Sequence, residues 1–220
     1  MKNKFVLVGC EESGRVTEAL RRHGVNAFSC DILPTSGNLP QFHFQGDLFD
    51  TIKTWRDYIA GIIAFPPCTY LTVAGNKWAN DPVRKCKREY ALMFVTLIAD
   101  FAAQIDVPYA IENPVGYLNT HWRKPEQIIN PWQFGDPYAK RTCLWLFGLP
   151  NLEPTNVLER PPEGWQNQSF DPSGKNRGFS GSFRDPALRS KTFPGIAEAM
   201  ADQWAKYFCD LGAQSEGKGI

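Results

Sequence analysis

Short apolar runs recur along the chain, each cut off by a polar or turn-forming residue, and segments with helical spacing lie between them. Lys4-Phe5-Val6-Leu7-Val8-Gly9 is the kind of run that a buried parallel strand uses. After the turn Cys10-Glu11-Glu12-Ser13-Gly14 come Val16, Ala19 and Leu20, spaced for one face of a helix that Gly24 can end. Val25 to Cys30 reads as a second strand, stopping at Asp31, and Gly61 to Phe65 as a further one, ended by Pro66-Pro67. Pro82 opens a helix running to about Ile105, with Tyr90, Phe94, Leu97, Phe101 and Ile105 at helical spacing. Val107 to Ile111 is the next strand, ending at Glu112. Such alternation predicts a doubly wound α/β domain: a mainly parallel sheet with helices on both faces.

Beyond Thr120 the pattern loosens. Cys143 to Phe147 is one more strand, and Pro150 to Asp185 is rich in Pro, Gly, Asn and Ser with no sustained period. A final helix carries Ile196, Ala199, Met200, Trp204 and Phe208. The resulting division is a core over 1–149, a loop-rich basic insert over 150–188, a C-terminal helix over 189–211 that completes the core, and a frayed tail over 212–220.

With 220 residues and 43% hydrophobic content, the chain can bury one substantial core. Its 24 basic and 23 acidic side chains give a net charge of +1, so a polyanionic partner must be held by a local basic patch and not by the overall field. No apolar run reaches the roughly 18 residues needed to span a bilayer, and the N-terminus lacks a signal-peptide core. The expected location is cytoplasmic. Cys10, Cys30, Cys68, Cys86, Cys143 and Cys209 are scattered without a CxxC pair, and the three histidines lie away from them in sequence. They read as reduced cysteines, with no metal site. Cys30, Cys86, Cys143 and Cys209 are expected to pack as small hydrophobes.

Ligands of an open parallel sheet bind at the carboxyl ends of its strands. Those ends carry Gly9 to Gly14, Asp31, Asp47, Pro67-Cys68 and Glu112-Asn113-Pro114. A glycine turn lets a ligand approach the backbone, and the helix start behind it offers amide donors, although Glu11-Glu12 would repel a diphosphate. Asp31 lies 22 residues past Gly9, near the spacing of a ribose-binding acid; the plain alternative is a turn cap. Two prolines restrict Cys68, which presents its sulfur to the crevice unless it is simply buried. Glu112 follows an apolar run, where burial would raise its proton affinity unless a Lys or Arg pairs with it.

Taken in order, these residues resemble the DNA (cytosine-5) methyltransferase family, as a compact, phage-like member. Val8-Gly9-Cys10-Glu11-Glu12-Ser13-Gly14 looks like its S-adenosylmethionine turn, with Val8 where an aromatic is usual. Asp31 resembles the ribose-binding acid, and Gly46-Asp47 the acid at the adenine amino group. Pro67-Cys68 resembles the Pro-Cys nucleophile, with Thr72 where a serine is common. Glu112-Asn113-Pro114 is similar to the tripeptide whose glutamate holds the target base, and Lys140-Arg141-Thr142-Cys143 to the Gln-x-Arg-x-Arg element. There Ala139 replaces the glutamine and Cys143 the second arginine. Phe193 to Ala199 looks like the helix completing the cofactor pocket.

The resemblance implies a Rossmann-like methyltransferase fold, S-adenosylmethionine as cofactor and DNA as partner, with a flipped or single-stranded cytosine. It makes Cys68, Glu112 and Arg141 catalytic, puts Val8, Gly9, Cys10, Gly14, Asp31, Ile32, Asp47 and Pro67 at the cofactor, and Asn113 and Thr72 at the substrate. A monomer is expected, in the host cytoplasm if phage-encoded. Backbone contacts fall to Arg84 through Arg88, whose plain reading is a solvated helix face, or to Lys175, Arg177, Arg184, Arg189 and Lys191 around the insert. Only 39 residues fill the interval where the family carries a recognition domain, which implies relaxed sequence specificity. Two alternatives stand beside this one: the same nucleophile acting on RNA or a free pyrimidine nucleotide, and an inactive nucleic-acid-binding member.

Overall fold

The structure, a computed structural model, describes residues 4–72, 81–159 and 191–213. Seven strands form one sheet: β1 (Phe5–Gly9), β2 (Ala27–Asp31), β3 (His43–Gln45), β4 (Ile59–Ala64), β5 (Tyr109–Pro114), β6 (Gln127–Ile129) and β7 (Thr142–Phe147). Among the described residues five α-helices accompany them: α1 (Arg15–Arg22), α2 (Leu48–Trp55), α3 (Pro82–Gln104), α4 (Leu118–His121) and α5 (Pro194–Ala213). The strand order is β3-β2-β1-β4-β5-β7-β6. The pairings from β3 across to β5 are parallel, whereas β7 runs antiparallel to both β5 and β6. This is a Rossmann-like, doubly wound α/β fold, as the strand and helix alternation predicts.

The sheet divides the core in two. On one face Val16, Ala19 and Leu20 of α1 pack with Ile196, Met200, Trp204 and Phe208 of α5; on the other, Leu48 and Ile52 of α2 join Val95, Ile98 and Ala102 of α3. Inner strands are apolar on both sides for that reason: β1 and β4 are buried at every residue.

Several expectations shift. The buried face of α3 is Val95, Ile98, Ala99 and Ala102, while Tyr90 is exposed and Phe94 and Phe101 pack at the margin against Phe49. Small and branched residues, not the aromatic series, let this helix approach the sheet. The second strand starts two residues later than the hydrophobic run, and β6 is an element that the sequence pattern does not announce. Cys86 is exposed, whereas Cys30 and Cys143 are buried; Cys209 has no described side chain. Cys10, Cys30, Cys86 and Cys143 are in no disulfide.

Of the segment expected as a loop-rich insert, the described part, 150–159, lies on the core. Leu152 is buried and exchanges hydrogen bonds with the Gln127 amide, and Trp204 Nε1 donates to the Pro150 carbonyl. Lys175, Arg177, Arg184 and Arg189 lie outside the described residues. Among the described residues no helix is long and apolar enough to cross a membrane, and no three His, Cys, Asp or Glu side chains gather to hold a metal ion.

Candidate active site

The carboxyl ends of β1, β2, β4 and β5 open on one side of the sheet, and their loops carry the residues singled out above. Val8 itself is buried in the core. Just beyond β1, Cys10 takes a left-handed backbone (φ 56°) and Gly14 begins α1 with φ 66°. Burial pushes the Cys10 thiol's pKa up, and the nearby Asp31, Cys30 and Asp47 push it further. Cys10, Asp31 and Asp47 therefore meet around one spot. Asp31 accepts the Leu33 amide at 3.0 Å, a turn-cap contact, and Asp47 caps α2 by accepting from Phe49 and Asp50 at 2.8 and 3.0 Å. Beside them Ile32 is 73% exposed, a large apolar side chain left at the mouth of the crevice.

At the start of α1 the Val16 and Thr17 amides are already taken. Glu11, 3% exposed, turns its carboxylate onto the Val16 and Thr17 amides and the Thr17 hydroxyl, and so takes the place an anionic ligand would occupy. Burial lifts its pKa to about 7 despite those hydrogen bonds. The loop after β2 folds over this turn: Thr35 Oγ1 and the Ser36 amide both donate to the Glu12 carbonyl. Lys191, expected in a basic arm, instead donates to Ser36 Oγ at 2.8 Å and sits 3.9 Å from Glu12.

The loops after β4 and β5 are joined into one unit. Asn113, 1% exposed, donates through Nδ2 to the Pro66 carbonyl at 2.8 Å, the Tyr117 amide donates to the Leu71 carbonyl at 2.7 Å, and Thr72 bridges to Gly116. Gly116 permits this, because a Cβ there would lie 2.0 Å from the Leu71 oxygen. Pro67 is exposed and Cys68 half-buried, and the Cys68 carbonyl closes a turn by accepting from Leu71 and Thr72. Cys68 thus sits on a fastened loop, next to the strand that carries Glu112. Asn113 serves as one of the fasteners.

Burial raises the Glu112 pKa, against the opposing effects of the Lys140 ammonium and the Thr142 hydroxyl. Glu112 lines a pocket with Lys140, Thr142, Lys191, Thr192, Phe193 and Ile196. The register explains which cation stands there. Glu112 pairs with Leu144, so Thr142 and Lys140 fall on its face of the sheet, while Cys143 pairs with Asn113 and shares the other face with Arg141. Arg141 is exposed, and its carbonyl accepts from the Val115 amide. The cation that acts on the Glu112 carboxyl is Lys140, a residue that motif spacing passes over. The parity of a strand's side chains depends on its register, and no local signal in 139–143 fixes it.

No protein-family model matches the sequence, and no curated protein matches it. Among solved structures the chain is similar to a triple mutant of DNMT2 from Spodoptera frugiperda, at 17% identity and a TM-score of 0.41, covering 74% of this chain and 57% of that one. The chain spans little more than half of that protein's length.

Proposed function

We propose that the protein transfers the methyl group of S-adenosylmethionine to carbon 5 of cytosine in DNA, through a covalent adduct of Cys68 at carbon 6. The observation that carries this reading is the joined unit itself: a cysteine at the end of β4, hydrogen-bonded through its loop to a strand whose glutamate is held toward its protonated form. Cytosine carbon 5 is a poor nucleophile, and adding a thiolate to carbon 6 makes it enamine-like.

The residues at the strand ends fit the cofactor. The Asp31 carboxylate suits ribose hydroxyls, and exposed Ile32 offers an apolar surface to a purine ring. Because Glu11 already fills the start of α1, the turn suits a ligand without phosphates there. When bound, S-adenosylmethionine supplies an electrophilic methyl group to carbon 5. In this chain, Cys68 Sγ forms the bond to carbon 6 while Glu112 gives its proton to N3 and Lys140 supports the charge around them. Solvent water then takes the carbon 5 proton, which restores the double bond between carbons 5 and 6 and expels the Cys68 thiolate, and N3 returns its proton to Glu112.

The chain would act on a flipped or single-stranded base, and its short insert supports relaxed sequence specificity. The test is incubation with methyl-labelled S-adenosylmethionine and cytosine-containing DNA, RNA or nucleotides. We expect label at carbon 5 of DNA cytosine, a trapped complex with DNA carrying 5-fluorocytosine, and neither with Cys68→Ser. Label on the exocyclic nitrogen would overturn the mechanism. A second reading keeps the nucleophile but takes RNA or a free pyrimidine nucleotide, and one observation favours it: Lys140, not an arginine, stands beside Glu112.

A further inference from the structure

Next to the Cys68 loop, three cationic side chains gather around the Tyr70 residue. Arg84 and Lys87, one turn apart on α3, lie 5.3 and 5.6 Å from the centroid of its ring. Arg88, 7% exposed, donates to the Tyr70 carbonyl at 3.0 Å and lies over the Tyr117 ring, and Arg84 reaches the Thr69 carbonyl. These contacts pin the stretch that follows Cys68 onto α3. Tyr70, Arg84, Lys87, Val83 and Asp81 line a shallow surface hollow.

Structural duty does not use up this charge. Among the described residues, none of Arg84, Lys85 and Lys87 is in an ion pair, and Arg84 Nε is buried without an acceptor. Asp81 is the acid that lines the hollow, and its Oδ1 already accepts the Val83 and Arg84 amides as the cap of α3. A solvated helix face has no need of a tyrosine clasped between cations. A half-exposed ring beside such cations suits a polymer that alternates flat bases with phosphates.

We propose that Tyr70, Arg84, Lys85 and Lys87 form a docking surface for the polynucleotide strand that carries the target base. The cations take phosphates flanking that base, and the tyrosine ring stacks on a neighbouring base. This rests on the reading of Cys68 as a nucleophile acting on a nucleobase, and it adds where the strand lies: across the start of α3, beside the loop that carries that sulfur. Single strands bind more tightly than duplexes, because paired and stacked bases have no free face for Tyr70.

The test uses the full chain without cofactor, short fluorescein-labelled oligonucleotides in deoxy, ribo and duplex forms, and fluorescence anisotropy across a potassium chloride series. Lys85→Glu/Lys87→Glu, two exposed positions, should weaken single-strand binding roughly ten-fold or more and flatten the salt dependence by about 0.7 for each phosphate no longer neutralised. Tyr70→Ala should weaken it roughly ten-fold with the salt slope unchanged, and Tyr70→Phe should bind as the parent does. If Tyr70→Ala also lowers the melting temperature, the lysine pair decides. Parental affinity and slope in the lysine variant, or equal binding of duplex and single strand, would overturn the proposal. Methyl transfer is scored separately. Patch-dependent binding without transfer removes the proposed activity and leaves this surface standing, whereas normal transfer with binding indifferent to the patch removes the surface alone.

Discussion

Two glutamates whose pKa is raised by burial take opposite parts at the residue scale. Glu112 faces a pocket, and a raised pKa keeps it a proton donor above the ordinary carboxylate range, so activity should fall on the alkaline side as that proton is lost. Glu112→Gln should lower transfer by roughly a hundred- to ten-thousand-fold, measured as kcat with saturating DNA. Lys140→Met removes a charge that favours the ionised form, so the alkaline limb of the pH profile should move to higher pH; an unmoved limb would dissociate Lys140 from Glu112. Glu11, turned onto the amides of α1, acts on stability. A carboxyl that binds its proton more tightly when folded favours the folded state fully below its unfolded pKa, and loses that contribution as pH rises from 4.5 to about 7. Urea denaturation should show the parent losing roughly 3 kcal/mol relative to Glu11→Gln across that interval. Although β5 runs on past Glu112 to Pro114, the position of Cys68 beyond β4 was legible in the sequence, because an apolar run stopped by proline marks a strand's end. That Glu11 would turn inward, and that Lys140 would replace Arg141 beside Glu112, was not. Both depend on how distant backbone segments come to rest against one another.

At the scale of elements, the loops after β4 and β5 act as one piece because of a close backbone approach. Gly116→Ala places a methyl group where the Leu71 carbonyl stands, and should cost about 2–3 kcal/mol in denaturant titrations. It should also lower kcat, since it pushes the loop that carries Cys68 away from the strand that carries Glu112. The elements themselves were largely readable: β1, β4 and the first half of β5 are buried on both faces and show as unbroken apolar runs. The misses have physical reasons. Three-residue β6 is too short to display a period, and α3 buries a stripe of small and branched residues, against which its more conspicuous aromatic spacing is a poor guide.

At the scale of the whole molecule, the two ends of the described chain share one face of the sheet. α1 packs against α5, Arg22 and His23 reach Glu198, and Arg15 donates to the Thr192 carbonyl at the approach to α5. The Asp136 carboxylate accepts the Gly195 amide and fixes the start of α5. Trp204, fully buried, is the centre of this cover, and Trp204→Ala should cost about 3–5 kcal/mol by chemical denaturation. The alternation of strands and helices made the sheet foreseeable, but the sequence carries no local mark that a helix near residue 200 would roof one near residue 20. This closure also sets a schedule for biosynthesis. Arg22 and Glu198 stand 176 residues apart, so a ribosome exposes the first helix long before its cover exists. The cleft can only be assembled after α5 has left the exit tunnel, and until then the apolar side of α1 is a natural client for whatever shields nascent chains.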